Sequence, residues 1–269
     1  GGNTGGEFRI SNCIVSISGV TCDFGTGVFE NTRFEDCTST ALVLANSAVV
    51  VRGCEFVNTS TVGDGGAIRF GDTSLDVDDC HFTDNHAGGI GGAIYAVGFI
   101  ELEIDNSTFS GNTADVNAGA VFYSSLAQCT LFQCNFTGNS SPGNTGAISI
   151  SSDPAALING CSFRDNVAGA GGAALRLQTK SSSILANTQF CGNSPSDILG
   201  GFIDVGGNTF DIDCDCIADV NGDGALTPTD FTAWINAFNN NLPGCDQNGD
   251  SACTPTDFTA WINNFNAGC

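Results

Sequence analysis

Phe34, Phe56, Phe82, Phe109, Phe136, Phe163 and Phe190 follow one another at intervals of 22, 26, 27, 27, 27 and 27 residues. Asn85, Asn112, Asn139, Asn166 and Asn193 keep the 27-residue step, each three places after its Phe. A period this constant calls for a stack of equivalent units in which each contacts only its neighbours. The stretches between these marks are of strand length and either continuous or alternating in apolar residues, as at Ala48 to Val51, Phe99 to Ile104 and Leu175 to Leu177. Residues 1–212 are therefore expected to be mainly β, a right-handed parallel β-helix of about eight turns with about 27 residues in each.

That fold makes specific demands. Each Phe should lie on the next about 4.8 Å away, the ordinary strand spacing, and the Asn residues should form a ladder of amides inside one corner. Gly65 to Ile68 and Gly91 to Ile94 both read Gly-Gly-Ala-Ile, with weaker copies at Ala118 to Val121, Thr145 to Ile148 and Gly171 to Ala174. They mark a corner where only small residues fit. Fourteen cysteines point to an oxidising, extracellular setting. Cys54, Cys80, Cys134 and Cys161 all stand two places before their Phe, with Ser107 in the missing place. In-register neighbours would be within disulfide range. The spacing predicts Cys54–Cys80 and Cys134–Cys161 as rung-to-rung staples, with a ladder of buried, unoxidised thiols as the alternative. Cys245 and Cys253 are placed to pair; the other eight cysteines have no assignable partners. Only His81 and His86 are available as imidazole ligands, and the Cys spacing matches no zinc pattern.

The pairing of Gly-Gly-Ala-Ile with Phe-x-x-Asn, at Phe82 to Asn85, Phe109 to Asn112, Phe136 to Asn139, Phe163 to Asn166 and Phe190 to Asn193, resembles the polymorphic outer-membrane protein repeat. The resemblance spans roughly residues 54–193 and implies a β-helical surface adhesin. No C-terminal membrane barrel follows, so that family's mode of attachment does not carry over.

Residues 213–269 are built differently. Asp219, Asn221, Asp223, Ala225, Thr227 and Asp230 occupy positions 1, 3, 5, 7, 9 and 12 of an acidic loop, and Asp246, Asn248, Asp250, Ala252, Thr254 and Asp257 repeat them 27 residues later. Oxygen donors at these places, with a backbone carbonyl at position 7, match the wrapping of Ca²⁺. Position 9 would contribute directly or through water. The second loop has Ser251 in place of Gly224 and Cys253 in place of Leu226, so its site is expected to be the weaker. Each loop runs into Thr-Pro-Thr-Asp-Phe-Thr-Ala-Trp-Ile-Asn. Phe231, Trp234, Ile235 and Phe238, and equally Phe258, Trp261, Ile262 and Phe265, fall on one helical face. Two such helices should pack as a pseudo-twofold pair. This region resembles the type I dockerin family, which implies two bound calcium ions and non-covalent docking into a cohesin partner. Dockerins commonly read positions 10 and 11, here Pro228-Thr229 and Pro255-Thr256.

A net charge of −22 with seven basic residues argues against nucleic acid and anionic membrane surfaces. There is no apolar run long enough for a transmembrane helix. The absence of Met and of a signal peptide leads us to expect a processed, secreted product. Parallel β-helices often host polysaccharide lyases and hydrolases, whose chemistry needs clustered carboxylates. Asp36, Asp84 and Asp165 stand two places after their Phe, but Gly111, Gly138 and Gly192 share that register, which reads as corner geometry. Asp76, Asp78 and Asp79 lack a basic companion in sequence. His81 and His86 read as an exposed polar pair. The sequence thus favours a non-enzymatic extracellular scaffold with a calcium-dependent docking module, joining a cohesin-like partner or neighbouring copies of itself head to tail into fibres. The alternative is a monomeric adhesin or glycan binder on a cohesin-like receptor, with a polysaccharide-active enzyme third.

Overall fold

The computed structural model describes residues 7–16, 19–151, 155–178, 182–211, 217–221, 226–248, 250 and 252–267. Two compact units divide the chain, Gly1–Ile212 and Asp213–Cys269. The first is a parallel β-helix with three sheets, in which every described strand pair is parallel.

One sheet carries the phenylalanines. Its nine three-residue strands run from Ile14–Ser16 to Thr209–Asp211, and the middle residue of each points inward. Phe34 to Phe190 are fully buried. Their rings lie nearly parallel with centroids 4.6 to 5.0 Å apart, so strand spacing dictates the stacking distance. Phe210, absent from the sequence register because its turn is short, extends the stack by one ring at 5.0 Å. A second, long sheet is built from strands such as Leu42–Arg52, Ile68–Asp78 and Ile94–Asp105, and later turns break these into two shorter strands. A short sheet of five two-residue strands, Ser60–Thr61 to Val167–Ala168, closes the third side. This corrects the expected eight turns. The Phe sheet has nine layers, but only about six turns are closed on three sides, counting the Val167–Ser194 bridge beyond the five short strands.

The corners explain the sequence marks. A Cβ on Gly92 would lie 2.0 Å from the carbonyl oxygen of Gly119, and one on Gly66 would lie 2.2 Å from that of Gly92. Adjacent turns touch backbone to backbone there, so the second glycine of each mark is obligatory. At the other corner each Asn Oδ1 accepts both the backbone N–H and the Nδ2–H of the Asn one turn earlier. For Asn85 on Asn112 these distances are 3.1 and 2.9 Å, and the pattern repeats to Asn193. Each Nδ2 also donates to a Phe carbonyl of the previous turn. Thr59 begins the ladder and Asp197 ends it. After Phe56 it is Thr59, not Asn58, that fills the ladder place.

The staples Cys54–Cys80 and Cys134–Cys161 are not formed; all four residues are buried free thiols. A second ladder takes their place. Thr32, Cys54, Cys80, Ser107, Cys134, Cys161 and Thr188 each donate to the carbonyl two residues earlier. Cys80 Sγ and Ser107 Oγ accept the N–H of Cys54 and of Cys80, at 3.4 and 3.0 Å. Thiol and hydroxyl are interchangeable here. A disulfide needs Cβ atoms about 3.5–4.5 Å apart, whereas parallel Cα–Cβ bonds on neighbouring rungs keep the strand spacing of about 4.8 Å. Hydrogen bonding to the partner thiol, together with burial, raises the pKa of Cys80 and of Cys134, so these thiols stay protonated and unreactive.

Cys80→Ser should preserve both ladder bonds and shift stability by less than about 1 kcal/mol, whereas Cys80→Val strands the buried Cys54 N–H and should cost about 1–3 kcal/mol. Asn112→Ala, which strands the Asn85 amide and the Phe82 carbonyl, should cost more than either. Urea unfolding followed by circular dichroism would check this ranking.

Candidate metal centre

The helical unit consists of α1 (Pro228–Asn240) and α2 (Pro255–Ala267), each preceded by one acidic loop. Pro228 opens α1 where a missing N–H costs nothing. Thr227 is its N-cap, and with Asp230 it forms a reciprocal capping box. Asn241 ends the helix in a left-handed conformation. The apolar faces meet as a pseudo-twofold pair. Phe231 lies 5.1 Å from Trp261 and, reciprocally, Trp234 lies 5.4 Å from Phe258. The indoles cross over as well: Trp234 Nε1 donates to the Cys245 carbonyl at 3.3 Å, and Trp261 Nε1 to that of Ala218 at 3.2 Å. Those two carbonyls immediately precede position 1 of the opposite loops, so each helix anchors the entrance of the other repeat's loop. Sequence periodicity placed the tryptophans on the packed face but gave no sign of this exchange.

In the second loop, carboxylate oxygens of Asp246, Asp250 and Asp257 all lie within 4.8 Å of one another. The loop is pre-shaped by its own bonds. The Asp250 N–H donates to Asp246 Oδ1 (3.2 Å) and Asn248 Oδ1 (2.9 Å), and the Ala252 N–H donates to Asp250 Oδ1 (2.9 Å). Asp257 has no exposed surface. Its Oδ1 accepts the N–H of Gln247 and Asn248, and its Oδ2 that of Thr254. The first loop repeats the arrangement through Asn221, Thr227 and Asp230, and Asp219 lies close enough to Asp230 to affect its titration. Asp223 and Ala225 lie outside the described residues.

Three like charges this close repel unless something neutralises them. The unit has eight aspartates and no Lys, Arg or His to do so. The residues therefore fit a hard, oxygen-seeking divalent cation. Asp246, Asn248, Asp250 and Asp257 would hold it in the second loop, with Asp219, Asn221 and Asp230 in matching places in the first. The hydroxyls of Thr227 and Thr254, at position 9, bond those of Thr229 and Thr256, at 2.5 and 2.6 Å. Thr229 and Thr256, at position 11, also accept from the amides of Asn221 and Asn248. Residues of the kind that dockerins present to partners are thus tied to the ion-binding loops.

On the β-helix, the Phe+2 aspartates do not gather into a site. Asp36, Asp84 and Asp165 have φ of +51°, +53° and +53°, matching Gly111, Gly138 and Gly192, and simply turn the corner. His81 and His86 lie on different sheets, each bonded to a threonine of the next rung. Asp78 does have a basic companion, Arg52, at 3.2 Å on the neighbouring rung. Sequence reading missed one cluster. The register sets Asp76 beside Glu103 and Asp78 beside Asp105, and Asp76, Glu101 and Glu103 line a groove of about 650 Å³ with Ser74, Gln128 and Thr130. Burial, followed by neighbouring carboxylates, raises the pKa of Asp105, and burial raises that of Asp76 against the pull of Arg52. Aligning the strands at the repeat period would have exposed this cluster.

Desolvation works against ionisation of Asp230 and Asp257, but the N–H donors of Thr227 and Asn221, and of Thr254 and Gln247, outweigh it and lower both pKa values. Depressed folded-state values stabilise the unit above the unfolded carboxylate range, and that contribution is lost as the pH falls through it. Trp234 and Trp261 are the chain's two tryptophans, so their fluorescence reports this unit alone. In calcium-free buffer it should stay constant at neutral pH and change cooperatively below about pH 4, the unfolded carboxylate range.

The family model for the right-handed β-helix region matches residues 2–153. The model for the type I dockerin domain matches residues 217–266. No curated protein and no solved structure matches the chain. The likeness to polymorphic outer-membrane protein repeats remains a resemblance. Type I dockerin domains in general bind calcium and cohesin partners and typically belong to extracellular or cell-surface proteins, and no described helix here is long and apolar enough to cross a membrane. With more than half of its length matched, the chain belongs to the right-handed β-helix family and carries a C-terminal type I dockerin domain.

Proposed function

We propose that this protein is a non-catalytic, secreted β-helix scaffold held in a larger assembly by calcium-dependent docking of its C-terminal domain into a cohesin. The observation that carries this reading is the bond between ion-binding and recognition residues: Asn221 to Thr229, and Asn248 to Thr256. An ion drawing the Asn oxygens inward would set the orientation of both threonines. Two calcium ions, one in each loop, are part of this reading. The last turn leaves Leu199, Ile203, Val205 and Phe210 exposed, which supports head-to-tail growth into fibres as an additional mode. Immobilised cohesins should retain the full chain in calcium, release it on chelation, and fail to retain Asp219→Ala/Asp246→Ala. Retention that ignores chelator would sink the calcium link. Sedimentation of the chain alone, with and without calcium, reports fibres.

A second reading rests on the long-sheet groove. Asp76, whose pKa burial raises, faces Glu103 on the next rung and lines the groove with Glu101; such paired carboxylates are groups that acid–base chemistry on a polysaccharide can use, and their charge favours neutral or amino-bearing glycans. If this reading holds, the chain will bind or shorten such a polysaccharide, and Glu101→Gln/Glu103→Gln will lower that by at least tenfold. No retention and no new chain ends across a glycan panel would leave the scaffold reading alone.

A further inference from the structure

The two loops differ covalently at one place. Position 8 and the residue preceding position 1 are Leu226 and Ala218 in the first repeat, but Cys253 and Cys245 in the second. Ala218 is fully buried, with Leu226 packed against the same cluster. Cys245 is fully buried and joined to Cys253, with Cα atoms 5.5 Å apart. A disulfide thus replaces an apolar contact and encloses the segment bearing Asp246, Asn248 and Asp250. That loop also has Ser251 where the first has Gly224, the residue that eases the sharp turn at position 6. The Cys245 carbonyl is the acceptor for Trp234, so the same bond fixes the loop entrance to the helix pair.

Resting on the reading that both loops bind calcium, we propose that Cys245–Cys253 is the positioning device of the second site, and that this site alone is switched by its thiol–disulfide state. Closing the loop covalently, across a sequence separation of 8, removes open conformations from it, and so holds together three carboxylates that repel one another. Reduction breaks the S–S bond. A dithiol supplies two electrons and two protons, is itself oxidised to a cyclic disulfide, and leaves two cysteine thiols. The opened loop then has neither the clamp nor the glycine, and its carboxylates spread. The first loop, with Leu226 and Gly224, has no such bond to reduce.

Calorimetric titration of the full chain with calcium tests this, read as stoichiometry before and after treatment with a dithiol. The expected result is two ions per chain when oxidised, and one after reduction or a second at least tenfold weaker, with tryptophan fluorescence showing that the helix pair persists. Cys245→Ala/Cys253→Leu, which writes the first loop's apolar pair into the second, should fold and bind calcium equally with and without reductant. Two equal ions in the reduced wild-type chain would overturn the proposal while leaving the calcium reading intact. Reductant sensitivity surviving in the double variant would also overturn it, since another disulfide, such as that of Cys191, would then be a source. No uptake by the oxidised chain would overturn the calcium reading itself.

Discussion

Parallel strands in register, about 4.8 Å apart, are the constraint from which the β-helix follows. That spacing brings identical residues of successive turns into contact, so any side chain that can bond a copy of itself becomes a ladder. Phenylalanine stacks, asparagine donates and accepts, and glycine lets carbonyls close at the tight corner. Each turn leaves buried backbone donors that the next turn must satisfy, and an amide or hydroxyl at a fixed place does so. Repeated bonds of this kind polarise one another along the stack. Cysteine joins the same logic as a hydroxyl substitute, which is why the rung cysteines sit beside Ser107 and Thr188 in one column.

The dockerin unit follows a different principle. Its aromatic core is small, with Trp234 and Trp261 among its few well-buried apolar side chains, and its loops gather negative charge with no basic residue to answer it. Such an arrangement is poised for a cation. The indole bonds that cross between repeats mean that neither loop is shaped only by its own helix, so loading one loop bears on the packing of both.

Much of this was legible because it is periodic. The Phe and Asn intervals located the layers, and the ion-loop spacing located the metal centre, since both depend on fixed offsets in the chain. The Cys245–Cys253 pairing holds, but the rung staples failed for a geometric reason: Cα separation alone admitted a bond that parallel Cβ directions disfavour. The Asp76 and Glu103 neighbours were hidden because the eye follows clusters in sequence, and these are 27 residues apart. The tryptophan crossover has no sequence signature at all. It arises only when two nearly identical helices must share one core.

The two units therefore respond to their surroundings in different ways. Hydrogen-bond ladders within the β-helix run from turn to turn through its own side chains, without any ion. The docking unit concentrates its sensitivities in the loops, where charge repulsion, one covalent clamp and the position-11 threonines meet within a few residues. The repeat thus rests on bonds between its own turns, and the module on loops whose charge calls for an ion.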